Sequence, residues 1–138
     1  MKVKKIKDPI YNRDISLIYE CDKEEFLQYI EKRHKNLKLE RYFTCAEHIG
    51  VSSETTWVRH YIWLREGRGV EYCGVINHEV FHCARDCFEE IGLKINEKTN
   101  EAFAYYQEYI FEQVLKALLI KTKENSVDTE EEQYANIG

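Results

Sequence analysis

The chain lacks several features that would assign it to a specialised class of protein. Its 138 residues contain no apolar run near the roughly 20 residues that span a bilayer, so no membrane association is expected. The net charge is −5, and this absence of a basic excess argues against a nucleic-acid-binding surface. The short basic start lacks the apolar segment of a secretory signal peptide. We recognise no internal repeat and no second domain.

The five cysteines are an odd number, and no secretion signal accompanies them. We therefore expect reduced thiols and a cytoplasmic location, not a secreted protein held by disulfides. Cys83 and Cys87 lie four residues apart and could act as metal ligands or redox groups. Because free cysteine is commonly a small buried apolar residue, that interpretation is preferred for both.

One short stretch carries a specific chemistry. Residues 78–82 read His-Glu-Val-Phe-His, an H-E-x-x-H motif inside a segment with helical apolar periodicity. On a helix, His78 and His82 lie on the same face and can bind one zinc ion. Glu79, between them, can then act as a general base on a zinc-bound water. The motif therefore predicts a catalytic zinc site.

A third zinc ligand is expected from the next helical segment. Glu101 opens that segment and is separated from His82 by 18 residues. Two histidines, one glutamate and an open position are typical of a catalytic zinc site. The alternative is a buried helix with polar residues on one face, which would be costly without a metal. Asp86 and Glu89 are candidate partners for the histidines, although a solvated face suits Glu89 better.

The remaining periodicity predicts an α+β domain. Strands are expected at 15–21, 41–48 and 57–64, and helices at about 22–36, at 70–91 and from Thr99 or Asn100 onward. Asp22 and Glu25 form a capping box, and Gly92 suits the position after a helix. We expect residues 1–120 to form a single domain, a small β-sheet with helices on one face. The polar, acidic stretch 121–138 is expected to be a disordered or docking tail.

From Gly74 to Tyr109 the chain resembles the gluzincin group of zinc metallopeptidases. These enzymes carry H-E-x-x-H on one helix and a Glu ligand on the next. The 18-residue interval, and the stretch 100–104, are similar to the aminopeptidase branch of the group. The whole chain resembles small metallopeptidase-like proteins encoded in tailed-phage genomes. The resemblance implies a minimal zincin-like domain. It assigns the zinc to His78, His82 and Glu101, and the general base to Glu79.

The expected activity is zinc-dependent hydrolysis of a peptide or protein, in the host cytoplasm if the chain is phage-encoded. The developing oxyanion needs a second donor, and Tyr105 is preferred over Tyr106, Tyr109 and His60. Packing against the core is an equally good interpretation of Tyr105. The strand 57–64 is expected at the sheet edge, where it could hold an extended peptide.

Two other functions are compatible with the same residues. A catalytically silent, zinc-stabilised structural protein of a phage would keep the ligands, and its acidic tail would suit docking on a larger assembly. A regulatory binding module with a vestigial site is the second alternative. Glu79 favours the hydrolase, because a scaffold has no need of a general base.

Overall fold

A four-stranded sheet and three helices make up the part of the chain that the computed structural model describes, residues 1–35, 37–39, 45–52, 58–66 and 70–125. The strands are β1 (Lys2–Ile6), β2 (Asp14–Tyr19), β3 (Ala46–Ser52) and β4 (Val58–Leu64). The helices are α1 (Lys23–Arg33), α2 (Val70–Glu90) and α3 (Asn100–Asn125). The predicted α+β class is confirmed.

The order of the strands decides which of them is open to a partner. They lie in the order β1-β2-β4-β3, with β2 and β4 parallel and the two outer pairs antiparallel. The prediction that the strand 57–64 forms the edge is wrong, because β4 is paired on both sides. Within the described sheet, β3 is the edge strand next to β4. Trp57 lies outside the described residues.

Both faces of the central strands are apolar, and this determines where the helices pack. Leu17 and Ile62 belong to the core shared with α2 and α3. Ile18 and Trp63 belong to the core shared with α1, where the Trp63 ring stacks on Phe26 at 5.4 Å. The expectation of helices on one face is therefore wrong. Strands that are buried on both faces require a cover on each side.

The predicted helix ends are confirmed. The Asp22 side chain accepts the backbone N–H of Glu25 at 2.8 Å and caps α1. Gly92 has φ +86°. Its N–H donates to the carbonyl of Glu89, and the N–H of Leu93 donates to the carbonyl of Phe88, so α2 has a Schellman-type ending. Asn100 begins α3 as the sequence predicts.

The last helix extends into the polar stretch that is predicted from the sequence to be a tail. α3 continues to Asn125, past the predicted domain boundary at residue 120. Residues 126–138, the rest of the predicted tail, lie outside the described residues. Of the helices that are described, none has both the length and the apolar character that a membrane span requires.

β3 differs from the predicted strand at 41–48. It spans Ala46–Ser52 and continues through Gly50, past the predicted end at residue 48. Residues 41–44 lie outside the described part of the chain. A Cβ atom on Gly50 would lie only 3.3 Å from Cε1 of His60 on the neighbouring strand. The glycine therefore leaves space for an imidazole and does not end the strand.

Asp8 ties the connection between β1 and β2 to α3. Its carboxylate is 7% exposed and accepts the backbone N–H groups of Ile10, Tyr11 and Arg13, each at 3.1 Å. It also accepts the hydroxyl of Tyr106 at 2.7 Å. One buried carboxylate thus accepts backbone N–H groups of the loop and binds a tyrosine near the start of the last helix.

We expect Asp8→Ala to lower the free energy of unfolding by about 2–4 kcal/mol, because it leaves buried donors without an acceptor. Asp22→Ala is the matched control, and removal of that exposed cap should cost about 1 kcal/mol. Urea denaturation of both variants measures the difference. An Asp8→Ala loss no larger than that of Asp22→Ala would contradict the anchoring role.

Candidate functional site

The two histidines of the H-E-x-x-H motif meet on the exposed face of α2. Their Nε2 atoms are 3.1 Å apart, and the rings are edge-to-face with centroids at 4.7 Å. The side chain of His78 is 68% exposed, and His82 is also exposed. Two imidazole ligands of one tetrahedral zinc ion lie about 3.3 Å apart, given Zn–N distances of about 2.0–2.1 Å. The pair therefore needs little rearrangement to share an ion.

Glu79 lies on the buried side of the same turn and is 6% exposed. Its Oε1 atom is 3.9 Å from Nε2 of His78. Its Oε2 atom is buried and has no hydrogen-bond partner in the described structure. Burial, helped by the charge of Glu47, raises the pKa of Glu79 to about 7. A carboxyl that titrates near neutral pH can both accept and return a proton.

Glu47, on β3, is an acidic neighbour that the sequence does not indicate. Its carboxylate accepts the backbone N–H of His48 at 3.1 Å. Burial raises its pKa, while the His48 N–H and the charges of His82 and His78 act in the opposite direction. Thirty residues separate Glu47 from His78, so no motif spacing connects them. Only the placement of β3 beside α2 brings them into electrostatic range.

Glu101 and Tyr105 lie near the start of α3, and both are exposed. Phe103, between them, turns toward α2, where its ring is 5.8 Å from that of Phe81. Residues two positions away on a helix point in nearly the opposite direction. Among the described residues, the groups of three or more ligand atoms that all lie within 4.8 Å of one another include neither Glu101 nor Glu47, and neither of the motif histidines. The structure brings the motif residues together without completing the group with Glu101.

A second set of candidate ligands lies in the core beneath α2. Nε2 of His48, on β3, is 2.9 Å from Nδ1 of His60, on β4. The ligand atoms of His48, His60 and Cys83 all lie within 4.8 Å of one another. The same holds for His60, Cys87 and Glu90. The structure thus contains groups that could hold a metal ion, and none of these residues was preferred as a ligand from the sequence.

The two buried histidines carry different charges. Burial lowers the pKa of His60, but hydrogen bonds and charges from Cys87 and Glu90 outweigh it and raise the pKa to about 9. Burial, followed by the neighbouring His60, lowers the pKa of His48 to about 3. Two positive charges this close together repel each other, so only one of the two imidazoles is protonated and the other accepts a hydrogen bond from it. His60 is therefore the donor in this pair.

Comparison with protein families, with curated proteins and with solved structures found no match for the chain. The resemblance to the gluzincin group consequently rests only on the motif, its spacing to Glu101 and the stretch 100–104. A function must be inferred from the geometry of the site.

The raised pKa of Glu79 implies a pH-dependent stability in the metal-free protein. Below its ordinary pKa of 4.5, Glu79 is protonated in both the folded and the unfolded chain. Between pH 4.5 and about 7 the folded chain keeps this proton while the unfolded chain releases it. The free energy of unfolding therefore falls as the pH rises, and the contribution of the proton is lost above about pH 7. Relative to Glu79→Gln, wild type should lose on the order of 2 kcal/mol between about pH 4.5 and pH 8. Denaturation with chelator present measures this, and a pH-independent difference would contradict the raised pKa.

Proposed function

We propose that the chain is a zinc-dependent hydrolase that cleaves a peptide or protein, with His78 and His82 as zinc ligands and Glu79 as general base. The observation that carries this proposal is a pair of exposed imidazoles 3.1 Å apart beside a buried carboxyl. The donor set fits zinc, which favours imidazole nitrogen. The unpartnered Oε2 of Glu79 also fits, because a buried polar atom without a partner is a frequent mark of a functional group.

The chain's own residues have distinct tasks in this reaction. Zinc, when bound, supplies a Lewis acid that lowers the pKa of a water toward ~7 and polarises a carbonyl. His78 and His82 hold their Nε2 atoms toward one point on the face of α2. Glu79 takes a proton from the attacking water and returns it to the leaving amine. Its pKa of about 7 suits both steps, since the group is neither too weak a base nor too weak an acid.

β3 offers a place for the substrate. It is an edge strand of the described sheet, and α2 packs against it. An extended peptide can bind by adding a strand to such an edge. A peptide paired with β3 would pass beside Glu79, which interacts with both His48 and Glu47.

Two carboxylates are candidates for the third zinc ligand. Glu101 is the ligand that the gluzincin resemblance implies, but it is exposed at the start of α3. Glu47 is our preferred candidate, because the charges of His78 and His82 lower its pKa, although like Glu101 it is in none of the described groups of ligand atoms within 4.8 Å. The two assignments predict opposite results for zinc affinity. Tyr105, with a side chain 66% exposed on α3, has no supporting contact for its predicted role at the oxyanion among the described residues.

The general-base role of Glu79 can be tested apart from zinc binding. Glu79→Gln should keep its zinc and lose turnover by about 10²–10⁴-fold, the usual contribution of a general base. Glu89→Gln, an exposed acid on the same helix, is the matched control and should behave as wild type. Zinc content and hydrolysis of a peptide library measure the two effects. Equal turnover in wild type and Glu79→Gln would exclude the hydrolase.

The same assay separates the hydrolase from a zinc-stabilised structural protein. That alternative predicts zinc binding with no turnover in wild type, and turnover alone decides, because any structural zinc would also lower the melting temperature on chelation.

The third ligand can be identified by comparing Glu47→Gln with Glu101→Gln. Loss of a direct ligand should weaken zinc binding by more than the about 10–100-fold that follows loss of an outer partner. We expect this loss in Glu47→Gln and wild-type affinity in Glu101→Gln. Competition with a chromophoric chelator measures both. The reverse result would assign the position to Glu101, and wild-type affinity in both variants would contradict a carboxylate ligand.

A further inference from the structure

Four side chains converge between the sheet and α2, and we name them the inner cluster: His48, His60, Cys83 and Cys87. The two histidines come from the neighbouring strands β3 and β4, and their register places both on the face that α2 covers. The two cysteines are one turn apart on α2 and are fully buried. Three separate segments of the chain therefore contribute to one small volume.

The ligand atoms of His48, His60 and Cys83 lie close enough together to share a single metal ion. Nε2 of His48 and Nδ1 of His60 are 2.9 Å apart, and Sγ of Cys83 lies within 4.8 Å of its partner atom in each ring. Sγ of Cys87 lies within 4.8 Å of a His60 nitrogen and hydrogen-bonds to Cys83. Ligands at about 2.0–2.1 Å for nitrogen and about 2.3 Å for sulfur lie about 3.3–3.8 Å apart in a tetrahedral zinc site. Cys87 belongs to a second group, with His60 and Glu90, so its thiol must move toward His48 for one ion to contact all four side chains.

The outer nitrogens of both rings face carboxylates. Nε2 of His60 is 2.9 Å from Oε1 of Glu90, and Nδ1 of His48 is 3.7 Å from Oδ2 of Asp86. The bond to Glu90 orients the His60 ring, whereas Asp86 lies beyond hydrogen-bond distance of His48 and acts on that ring through its charge. A carboxylate behind each imidazole is the usual arrangement around metal-bound histidines. Asp86, a candidate partner of the motif histidines from the sequence, has this role toward His48.

Gly50 keeps the space in which the two rings meet. It is the register partner of His60 across β3 and β4. A Cβ atom at this position would lie 3.3 Å from Cε1 and 3.4 Å from Nδ1 of His60. Any larger residue would press on the nitrogen that faces His48. The backbone thus leaves room on the side of the ring where an ion would enter.

We propose that the inner cluster is a structural zinc site, separate from the proposed hydrolase site. Two imidazoles and two thiolates favour zinc over the harder divalent cations. Four protein ligands close the coordination sphere, so the ion joins α2 to β3 and β4 and has no open position for a substrate. Binding displaces the proton between the two imidazoles and the protons of both thiols.

The proposal is tested first in the full chain carrying His78→Ala and His82→Ala together, which removes the ligands of the hydrolase site. Purified under reducing conditions with zinc, this variant should retain about one zinc per chain. X-ray absorption at the zinc edge should show sulfur at about 2.3 Å. A variant that binds no zinc, or zinc with only nitrogen and oxygen neighbours, would overturn the proposal. The hydrolase proposal is unaffected by either result, since its own zinc has no sulfur ligand.

A second measurement compares Cys83→Ser, Cys87→Ser with the matched control Cys73→Ser. Cys73 is on the same helix but belongs to neither ligand group. The double variant should lose about one zinc per chain relative to wild type, and the control none. Unchanged zinc content in the double variant would overturn the proposal. If the double variant does not fold, the absorption spectrum of the histidine variant decides the question.

Discussion

The packing of α2 against β3 and β4 is the constraint on which the rest of the structure depends. A helix of 3.6 residues per turn can carry two polar stripes, and the sheet decides which of them is buried. His78 and His82 lie on the exposed stripe. Glu79, Cys83 and Cys87 lie on the buried stripe. One helix therefore presents candidate metal ligands both to solvent and to the core.

Burial gives chemically similar groups different properties on the two sides of this helix. The histidines His78 and His82 are exposed to water. Glu79 loses solvation against the sheet, so its pKa rises to about 7. Of the two buried histidines, His60 is protonated, with a pKa of about 9, and His48 is neutral, with a pKa of about 3. Burial and the charges of neighbouring groups together determine what each of these groups can do.

The sequence determined much of this architecture because it depends on local rules. The motif helix at Val70–Glu90, the Asp22 cap and the Gly92 ending follow from periodicity and backbone geometry within a few residues. The proximity of His78 and His82 follows in the same way, since four residues make about one turn. The lysine-rich strand β1 was not predicted from the sequence. The alternation of apolar and polar residues is weak in an edge strand whose side chains are mostly polar.

Only the tertiary structure decided which distant residues join these local features. Strand order made β3 the edge and buried β4, and apolar residues on both faces of the sheet placed α1 opposite α2. The approach of Glu47 to the motif, and of His48 and His60 to Cys83, depends on strand register. Register is a contact between segments far apart in the chain, and no residue spacing encodes it. For the same reason the interval to Glu101 could not show which way that side chain points once α3 packs through Phe103.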